Sequence, residues 1–380
     1  MELNFTNIQI VTPTESFPGG VAIEDGLIRS IDTGGRAAPG AIDGEGDYLL
    51  PGLIDIHTDN LERHFQPRPG VVWPSPISAA LAHDREMIGA GITTVYDSMS
   101  LGDYDSGGNR RRMLNTGISA ITEASDKGLM KADHHFHFRC EISDRAMTEI
   151  YEAHANNPRL GLVSLMDHTP GQRQWRDLDI YRSFRAKKNA RIWSDEEWAA
   201  YVAERQGHQA TYAAPFRRHI RKAAQARGLP LASHDDTTRE DVDQAREEGA
   251  TISEFPTTIE AAEHARKAGL KIVMGSPNVV LGRSHSGNVS ALALAERGLL
   301  DALSSDYVPS SLLDAAFTLS RKMMTLPQAI ATVTANPADM LKLGDRGQIE
   351  IGRRADLIRV KLVNDAPVIR GIWRGGERVM

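Results

Sequence analysis

The sequence predicts an α/β protein: a (β/α)8 barrel of the TIM type that carries a small β-sandwich built from both chain ends. Three observations carry this. From residue 51 to about 340, short apolar runs alternate with helical stretches, the pattern of parallel βα units. Residues 1–50 and 341–380 hold only short strands separated by turns. The apolar runs of the middle end, one after another, on histidine or carboxylate side chains.

With 380 residues, 41% of them hydrophobic, the chain can bury a large core, and an α/β barrel absorbs about 250 residues as one unit. A net charge of −6 and a pI near 6.1 give no basic footprint for nucleic acid. The single cysteine, Cys140, excludes an internal disulfide and suits a reducing cytoplasm. Met1 to Ile10 alternates polar and apolar residues and lacks the basic start and apolar core of a signal peptide. No run is long and apolar enough to span a membrane. A cytoplasmic protein without nucleic-acid or membrane partners is expected.

At the amino end, Ile8 to Val11, Gly20 to Glu24, Leu27 to Asp32 and Asp47 to Leu50 read as strands, with Glu24-Asp25-Gly26 as a hairpin turn. At the carboxyl end the candidates are Gly347 to Glu350, Asp356 to Val360, Val368 to Ile372 and Glu377 to Met380. Each end alone is too small to hold much core. The economical arrangement is a composite domain of residues 1–50 and 341–380, with the barrel, 51–340, inserted between them.

The barrel opens at the turn Pro51-Gly52, which feeds Leu53-Ile54-Asp55-Ile56 and ends on His57 and Asp59. Ser78 to Ala90 reads as a helix stopped by Gly91, and Ile92 to Asp97 as the second strand. Arg110 to Lys127 is helical, Asp133 to Glu141 is the third strand, Ala146 to Ala155 a helix, and Leu160 to His168 the fourth strand. Residues 171–218 break the rhythm. They are highly charged, include Trp175, Trp193 and Trp198, and predict a helical insertion. A lid and a subunit contact, the latter making a homodimer, are both open to it. Arg218 to Arg227 then reads as a helix. Leu231 to His234, Ala250 to Phe255, Lys271 to Gly275 and Leu300 to Asp306 are the fifth to eighth strands. Helices Arg239 to Glu248, Ile259 to Ala268 and Asn288 to Glu296 separate them, and Leu312 to Met324 and Pro327 to Thr334 close the ring.

In such a barrel, chemistry gathers at the carboxyl ends of the strands. Side chains alternate along a strand, so His57 and Asp59 point the same way. Alone, that pair is equally a strand that ends in polar residues. In the third strand, Phe136, Phe138 and Cys140 share the face suited to the outer helices. His135, His137, Arg139 and Glu141 share the other, which brings Glu141 to the mouth. The fourth strand ends on Asp167-His168, the fifth on His234-Asp235-Asp236 and the eighth on Ser304-Ser305-Asp306. His57, Asp59, Glu141, His168, His234 and Asp306 together form a donor set for one or two divalent metal ions. A carboxylate such as Glu141 can bridge two ions about 3.5–4 Å apart. Singly, Asp306 reads equally as a helix cap, His168 as a satisfied polar residue and Glu141 as a partner of Arg139; their joint placement at strand ends favours metal. His154, His208, His219 and His264 fall in helical or insertion segments and read as solvated surface. His134 faces outward by parity, and His135 and His137 line the barrel lower down, outside the donor set.

Two stretches suggest anion binding. Gly275-Ser276-Pro277-Asn278 and then Gly282-Arg283-Ser284-His285-Ser286-Gly287-Asn288 follow the seventh strand and open a helix. Backbone N–H groups of such a loop can cradle phosphate oxygens, with Arg283 and His285 adding charge; an ordinary capped loop reads the same way. In the loop after the first strand, Arg63 and Arg68 are placed to reach an anionic substrate, as is Arg173 after the fourth, although loop arginines are commonly just solvated.

Leu49-Leu50-Pro51-Gly52-Leu53-Ile54-Asp55, His57-Thr58-Asp59-Asn60-Leu61, Arg139-Cys140-Glu141, Val163-Ser164-Leu165-Met166-Asp167-His168, Ala232-Ser233-His234-Asp235-Asp236, Glu254-Phe255-Pro256-Thr257-Thr258 and Ser304-Ser305-Asp306-Tyr307 resemble blocks of the amidohydrolase superfamily. So does the tail from Arg346-Gly347-Gln348-Ile349 to Gly352-Arg353-Arg354-Ala355-Asp356-Leu357. Within the superfamily they are most similar to the branch that hydrolyses ribose phosphonate triphosphates in the carbon–phosphorus lyase pathway. The resemblance covers nearly the whole chain. It implies metal-dependent hydrolysis of α-D-ribose 1-methylphosphonate 5-triphosphate, a phosphorylated sugar phosphonate, to the 5-phosphate and pyrophosphate. It further implies one or two zinc ions (with iron or manganese as alternatives), Asp306 as proton acceptor, and the phosphonate or ribose end held near His285. The chain departs from the broad superfamily in carrying His57-Thr58-Asp59 where His-x-His is usual. It also lacks the bridging lysine on the fourth strand, for which Glu141 is the replacement, as a glutamate is in N-acetylglucosamine-6-phosphate deacetylases. The fold leaves two other readings open: an amidohydrolase acting on a C–N bond (deacetylase, deaminase or cyclic amidase), and a non-catalytic scaffold subunit.

Overall fold

The computed structural model describes residues 2–33, 40–102, 109–189, 192–284 and 287–380. Five strands precede the barrel: β1 Glu2–Val11, β2 Ser16–Glu24, β3 Leu27–Asp32, β4 Ile42–Asp43 and β5 Tyr48–Pro51. The barrel strands are β6 Leu53–Thr58, β7 Ile92–Leu101, β8 Asp133–Glu141, β9 Leu160–Met166, β10 Leu231–His234, β11 Ile252–Glu254, β12 Lys271–Gly275 and β13 Ala302–Ser304. Three more follow: β14 Leu357–Val363, β15 Ala366–Arg374 and β16 Glu377–Arg378.

β6 to β13 pair in sequence order, and every pairing is parallel. The ring closes at its carboxyl end, where Asp306 N donates to His57 O (3.0 Å) and Asp59 N donates to Asp306 O (2.7 Å). Lower down, both strands at the seam pair with an intervening turn: Ile54 N donates to Val333 O and Leu303 N to Thr332 O, each at 2.9 Å. The predicted barrel is therefore present, and the third, fifth and seventh strands have the expected bounds. β7 runs beyond Asp97 because its continuation, Ser98 to Leu101, stays in register with His137 to Cys140 of the long β8. Barrel entry depends on Gly52, where a Cβ would overlap the Thr93 side chain.

The two chain ends pair in one mixed sheet of eight strands, in the order β16-β15-β14-β5-β1-β2-β3 with β4 beside β1. β5 joins the halves, parallel to β1 and antiparallel to β14. The core of the predicted sandwich takes Phe5, Ile8, Ile10, Val21 and Leu49 from one end and Leu357 and Trp373 from the other. The hairpins turn on Asp25-Gly26, Asn364-Asp365 and Gly375-Gly376, all with positive φ at both residues, the type I′ geometry that matches strand twist. Gly347 to Glu350 is not a strand, yet Ile349 is buried in this core. Val11, Leu50, Ile358 and Ile372 pack in a second cluster with barrel residues such as Phe317 and Ile330, so the sheet is fixed to the ring.

Two helical expectations change. Ser276–Leu281, expected as loop, is a short helix with Pro277 in its first turn, and its Ser276 Oγ lies 2.6 Å from Ser311 Oγ. In the insertion, Leu178–Asn189 and Asp195–Ala226 are helices, the second 32 residues long. The expected separate helix Arg218 to Arg227 is its tail. Ser194 and Glu197 form a capping box at its start. The tryptophans form a small core of the insertion: Trp175, Tyr181 and Trp198 are buried together with Trp193 and Tyr201 against them. The Arg185 and Arg205 guanidinium groups lie 5.4 and 5.0 Å from the Tyr201 ring centre, which accounts for part of the charge here. Among the described residues no helix is long and apolar enough to cross a membrane.

His134 points outward from the barrel, as its parity predicted, but into a buried polar chain. Its Nδ1 lies 2.8 Å from Asp97 Oδ2 and its Nε2 3.2 Å from Asp84 Oδ1. Asp97 Oδ1 meets His83 Nε2 at 2.7 Å, and His83 Nδ1 meets Asn60 Nδ2 at 3.2 Å. Burial alone would push the His134 pKa down; the Asp97 carboxylate, with Asp84 beyond it, outweighs burial and holds it at about 9. A histidine raised on folding stabilises fully below its unfolded value, near 6.5, and ceases to do so as pH rises through its folded value. Thermal melts of the wild type should therefore lose stability as pH rises from about 7 to about 10. In His134→Gln that alkaline limb should be shallower; parallel profiles would refute the assignment.

Candidate metal centre

His57, near the end of β6, and His234, the end of β10, both lean on Glu254, the last residue of β11. Glu254 Oε1 lies 2.7 Å from His57 Nδ1, and Oε2 lies 2.7 Å from His234 Nδ1. A carboxylate only accepts, so both rings carry their proton on Nδ1 and turn Nε2 to the mouth. His57 Nε2 is buried and has no hydrogen-bond partner among the described residues. Beneath them lies His137, low in the barrel as expected, with Nε2 2.9 Å from Ser164 Oγ. Burial pushes its pKa down to about 3, so it is neutral.

Among the described residues four clusters have ligand atoms within 4.8 Å of one another. His57–His137–Glu254 and His83–Asp97–His134 lie buried and bond internally. The other two, His57–Asp59–Asp306 and His168–His234–Asp235, are donor groups at the mouth. The donor chemistry suits divalent metal. The carboxylates around the rings reinforce this. Burial would lower the His57 pKa, but Glu254 overrides it and holds the ring at about 10. Burial would likewise lower His168, but Glu141 carries it to about 9. The local field thus favours positive charge at these nitrogens.

Glu141 reaches the mouth, as strand parity required, and spends its oxygens there. Oε2 lies 2.7 Å from His168 Nδ1, while Oε1 accepts from His168 N (3.1 Å) and Ser143 Oγ (2.9 Å). Asp59 is 40% exposed and takes both its oxygens to Arg139 Nη1, at 2.7 and 2.8 Å. Arg139 Nη2 is 3.4 Å from His234 Nε2, so the guanidinium sits between the two donor groups. Although burial opposes its charge, Asp59 holds the Arg139 pKa above its ordinary value.

Asp235, Phe255 and Asp306 follow β10, β11 and β13 with φ of 58°, 56° and 54°. Such left-handed backbone is costly for residues other than glycine, most of all for a bulky one. The ring imposes it: Asp235 N donates to Glu254 O, Phe255 N to Val273 O and Asp306 N to His57 O, each bonding to the next strand while the chain turns away. Above, a cleft is walled by Phe255, Pro277, Asn278, Ser284, Asn288 and Tyr307.

The expected arginines are placed differently. Arg173 is buried, with Nη1 on Asp236 and 3.1 Å from His234 O, so it props the end of β10 and does not line the cleft. Arg63 pairs with Glu86. Arg68 and Arg283 are exposed, and neither they nor Arg63 lines the cleft. His285 lies outside the described residues. Loop position alone does not tell which arginine turns inward, because the deciding carboxylates are distant in sequence. Three residues were missed: Glu254, Asp235 and Arg139. Strand parity already set Arg139 on the inner face, Asp235 adjoins His234, and Glu254 ends the sixth strand where a donor should be sought.

The Amidohydrolase family model matches residues 48–380. Over 376 residues the chain is 44% identical to the α-D-ribose 1-methylphosphonate 5-triphosphate diphosphatase of Escherichia coli (strain K12), covering 98% of this chain and 99% of that one. Among solved structures, dihydropyrimidinase from Brevibacillus agri NCHU1002 superposes with a TM-score of 0.64 at 15% identity, covering 100% of this chain and 95% of that one. 5-Methylcytosine deaminase from Klebsiella pneumoniae, liganded with 5-fluorocytosine, gives 0.68 at 13% identity, covering 100% and 97%. These two likenesses speak for the fold alone. With its closed barrel, its composite terminal sheet and its donor groups at the strand ends, the chain belongs to the amidohydrolase family.

Proposed function

We propose that this chain hydrolyses α-D-ribose 1-methylphosphonate 5-triphosphate at the α-phosphorus, releasing pyrophosphate and leaving the 5-phosphate. The observation that carries this reading is 44% identity, over nearly the full length of both chains, to a diphosphatase of that name. The site is in keeping with it. A part-buried guanidinium between two cation-ready donor groups suits a polyanion, and a neutral amide has no use for it.

In this reading His57, Asp59 and Asp306 hold one ion and His168, His234 and Asp235 a second. Glu141, expected as a direct ligand, acts through His168, whose ring it orients. Mixed imidazole and carboxylate donors suit zinc, and iron or manganese fit the same set. Bound there, a divalent cation supplies Lewis acidity to the phosphoryl oxygens and brings the acidity of water near pH 7. Asp306 takes the proton of the attacking water. As the new P–O bond forms, the bridging P–O bond breaks and pyrophosphate leaves. Arg139, steadied by Asp59, offsets charge gathering on the phosphoryl oxygens. The sugar end lies toward Ser284 and Asn288 of the cleft wall, with Arg283 beside them in sequence.

Incubated with the triphosphate, the protein should release pyrophosphate and 5-phosphate in equal amounts. Stepwise release of orthophosphate, or turnover confined to amides in a parallel panel, would overturn the reading. Asp306→Asn should keep most of its metal and lose turnover by about 10²–10⁴-fold; near-normal pyrophosphate release would remove Asp306 as proton acceptor. Arg139→Gln should lower kcat/KM by about 10²-fold or more, and an unchanged value would strike Arg139 from the mechanism.

A further inference from the structure

One carboxylate touches an imidazole from each donor group. Glu254 is 1% exposed and lies 2.7 Å from both His57 Nδ1 and His234 Nδ1. His57 belongs with Asp59 and Asp306, His234 with His168 and Asp235. The two rings are stacked, 14° apart in plane with centres 5.9 Å apart, in keeping with two donors that hang from one planar acceptor. We propose that Glu254 is a positioning residue that governs both cation positions at once, by fixing the tautomer of one ring in each. This rests on the metal-centre reading above.

The argument is one of donors and acceptors. A ring that donates from Nδ1 keeps its Nε2 lone pair for a cation. An acceptor-only side chain is the one kind that can demand Nδ1–H from two rings together. Glutamine has nearly the same shape but one acceptor and one donor end. Facing the same two nitrogens, its oxygen takes a proton from one ring while its NH2 needs the other Nδ1 as an acceptor. That second ring must then carry its proton on Nε2, where it cannot ligate. The substitution therefore removes one position and spares the other, whereas a merely structural defect would weaken both.

The test is zinc stoichiometry of the purified full chain, with 15N-histidine spectra of the zinc-loaded protein. Wild type should take two ions per chain, with His57 and His234 both protonated on Nδ1. Glu254→Gln should take one, with one of the two rings protonated on Nε2. Glu254→Asp, too short to span both nitrogens, should also take one, and serves if the glutamine variant does not fold. His137→Gln, at a ring whose Nδ1 lies 3.9 Å from Glu254 Oε1, disturbs the same buried layer without entering either donor group at the mouth and should retain two. Two ions in Glu254→Gln, or the loss of an ion in His137→Gln as well, overturns the inference and leaves the metal centre standing. A wild type that binds fewer than two ions defeats the two-position reading itself, and this inference with it.

Discussion

Two backbone hydrogen bonds, from Asp306 N to His57 O and from Asp59 N to Asp306 O, close the barrel, and the three residues that make them supply one donor group. Among the described residues, β6 and the chain leaving β13 pair directly only at the mouth; lower down the Thr332–Val333 turn stands between the strands. Just beneath, Asp55 is fully buried and Oδ1 accepts from Ser305 N at 3.0 Å and His57 N at 3.3 Å. Burial pushes its pKa up to about 6. Assembly of that donor group and closure of the ring are thus one event. Separating the seam would part His57 from Asp306 and leave either end without its ladder partner.

Around that seam the charges are unequal by design of the residues. Glu254, Glu141, Asp59, Asp235 and Asp306 surround three imidazoles and one guanidinium. The carboxylates do two kinds of work. Glu254 and Glu141 stand behind rings and aim them, while Asp59, Asp235 and Asp306 contribute oxygens to the donor groups. The left-handed backbone at Asp235, Phe255 and Asp306 belongs to the same economy. Each strained residue bonds to the neighbouring strand, so the ring's ladder offsets the conformational cost.

Where local periodicity decides, the sequence was readable. The alternation in β8 separated Phe136, Phe138 and Cys140 from Arg139 and Glu141, and strand ends marked His57, His168, His234 and Asp306 as neighbours. Most of the terminal strands were legible because Asp25-Gly26 and Gly375-Gly376 are strong turn signals; Gly347 to Glu350 read as a strand and is not one. What escaped depends on pairs far apart in the chain. Arg173 is drawn inward by Asp236, and Arg63 is held by Glu86, facts no loop motif carries. Glu254 escaped for another reason: its two histidine partners come 197 residues before it and 20 before it, and only closure brings them to one carboxylate. The insertion was legible as helical, but not the packing of its tryptophans with Tyr181 and Tyr201 into a small core of its own.

The composite sheet has a consequence for how the chain comes together as it is made. β5 is the strand between β1 and β14, and it runs directly into β6 through Gly52. Leu49 and Leu50 therefore wait for Ile358 and Arg359, which emerge only after the whole barrel has been synthesised. Until then one edge of β5 is an open, apolar template of the sort that invites wrong partners. The last strands act as a latch on the first, so completion of the amino-terminal half is timed by the carboxyl-terminal one.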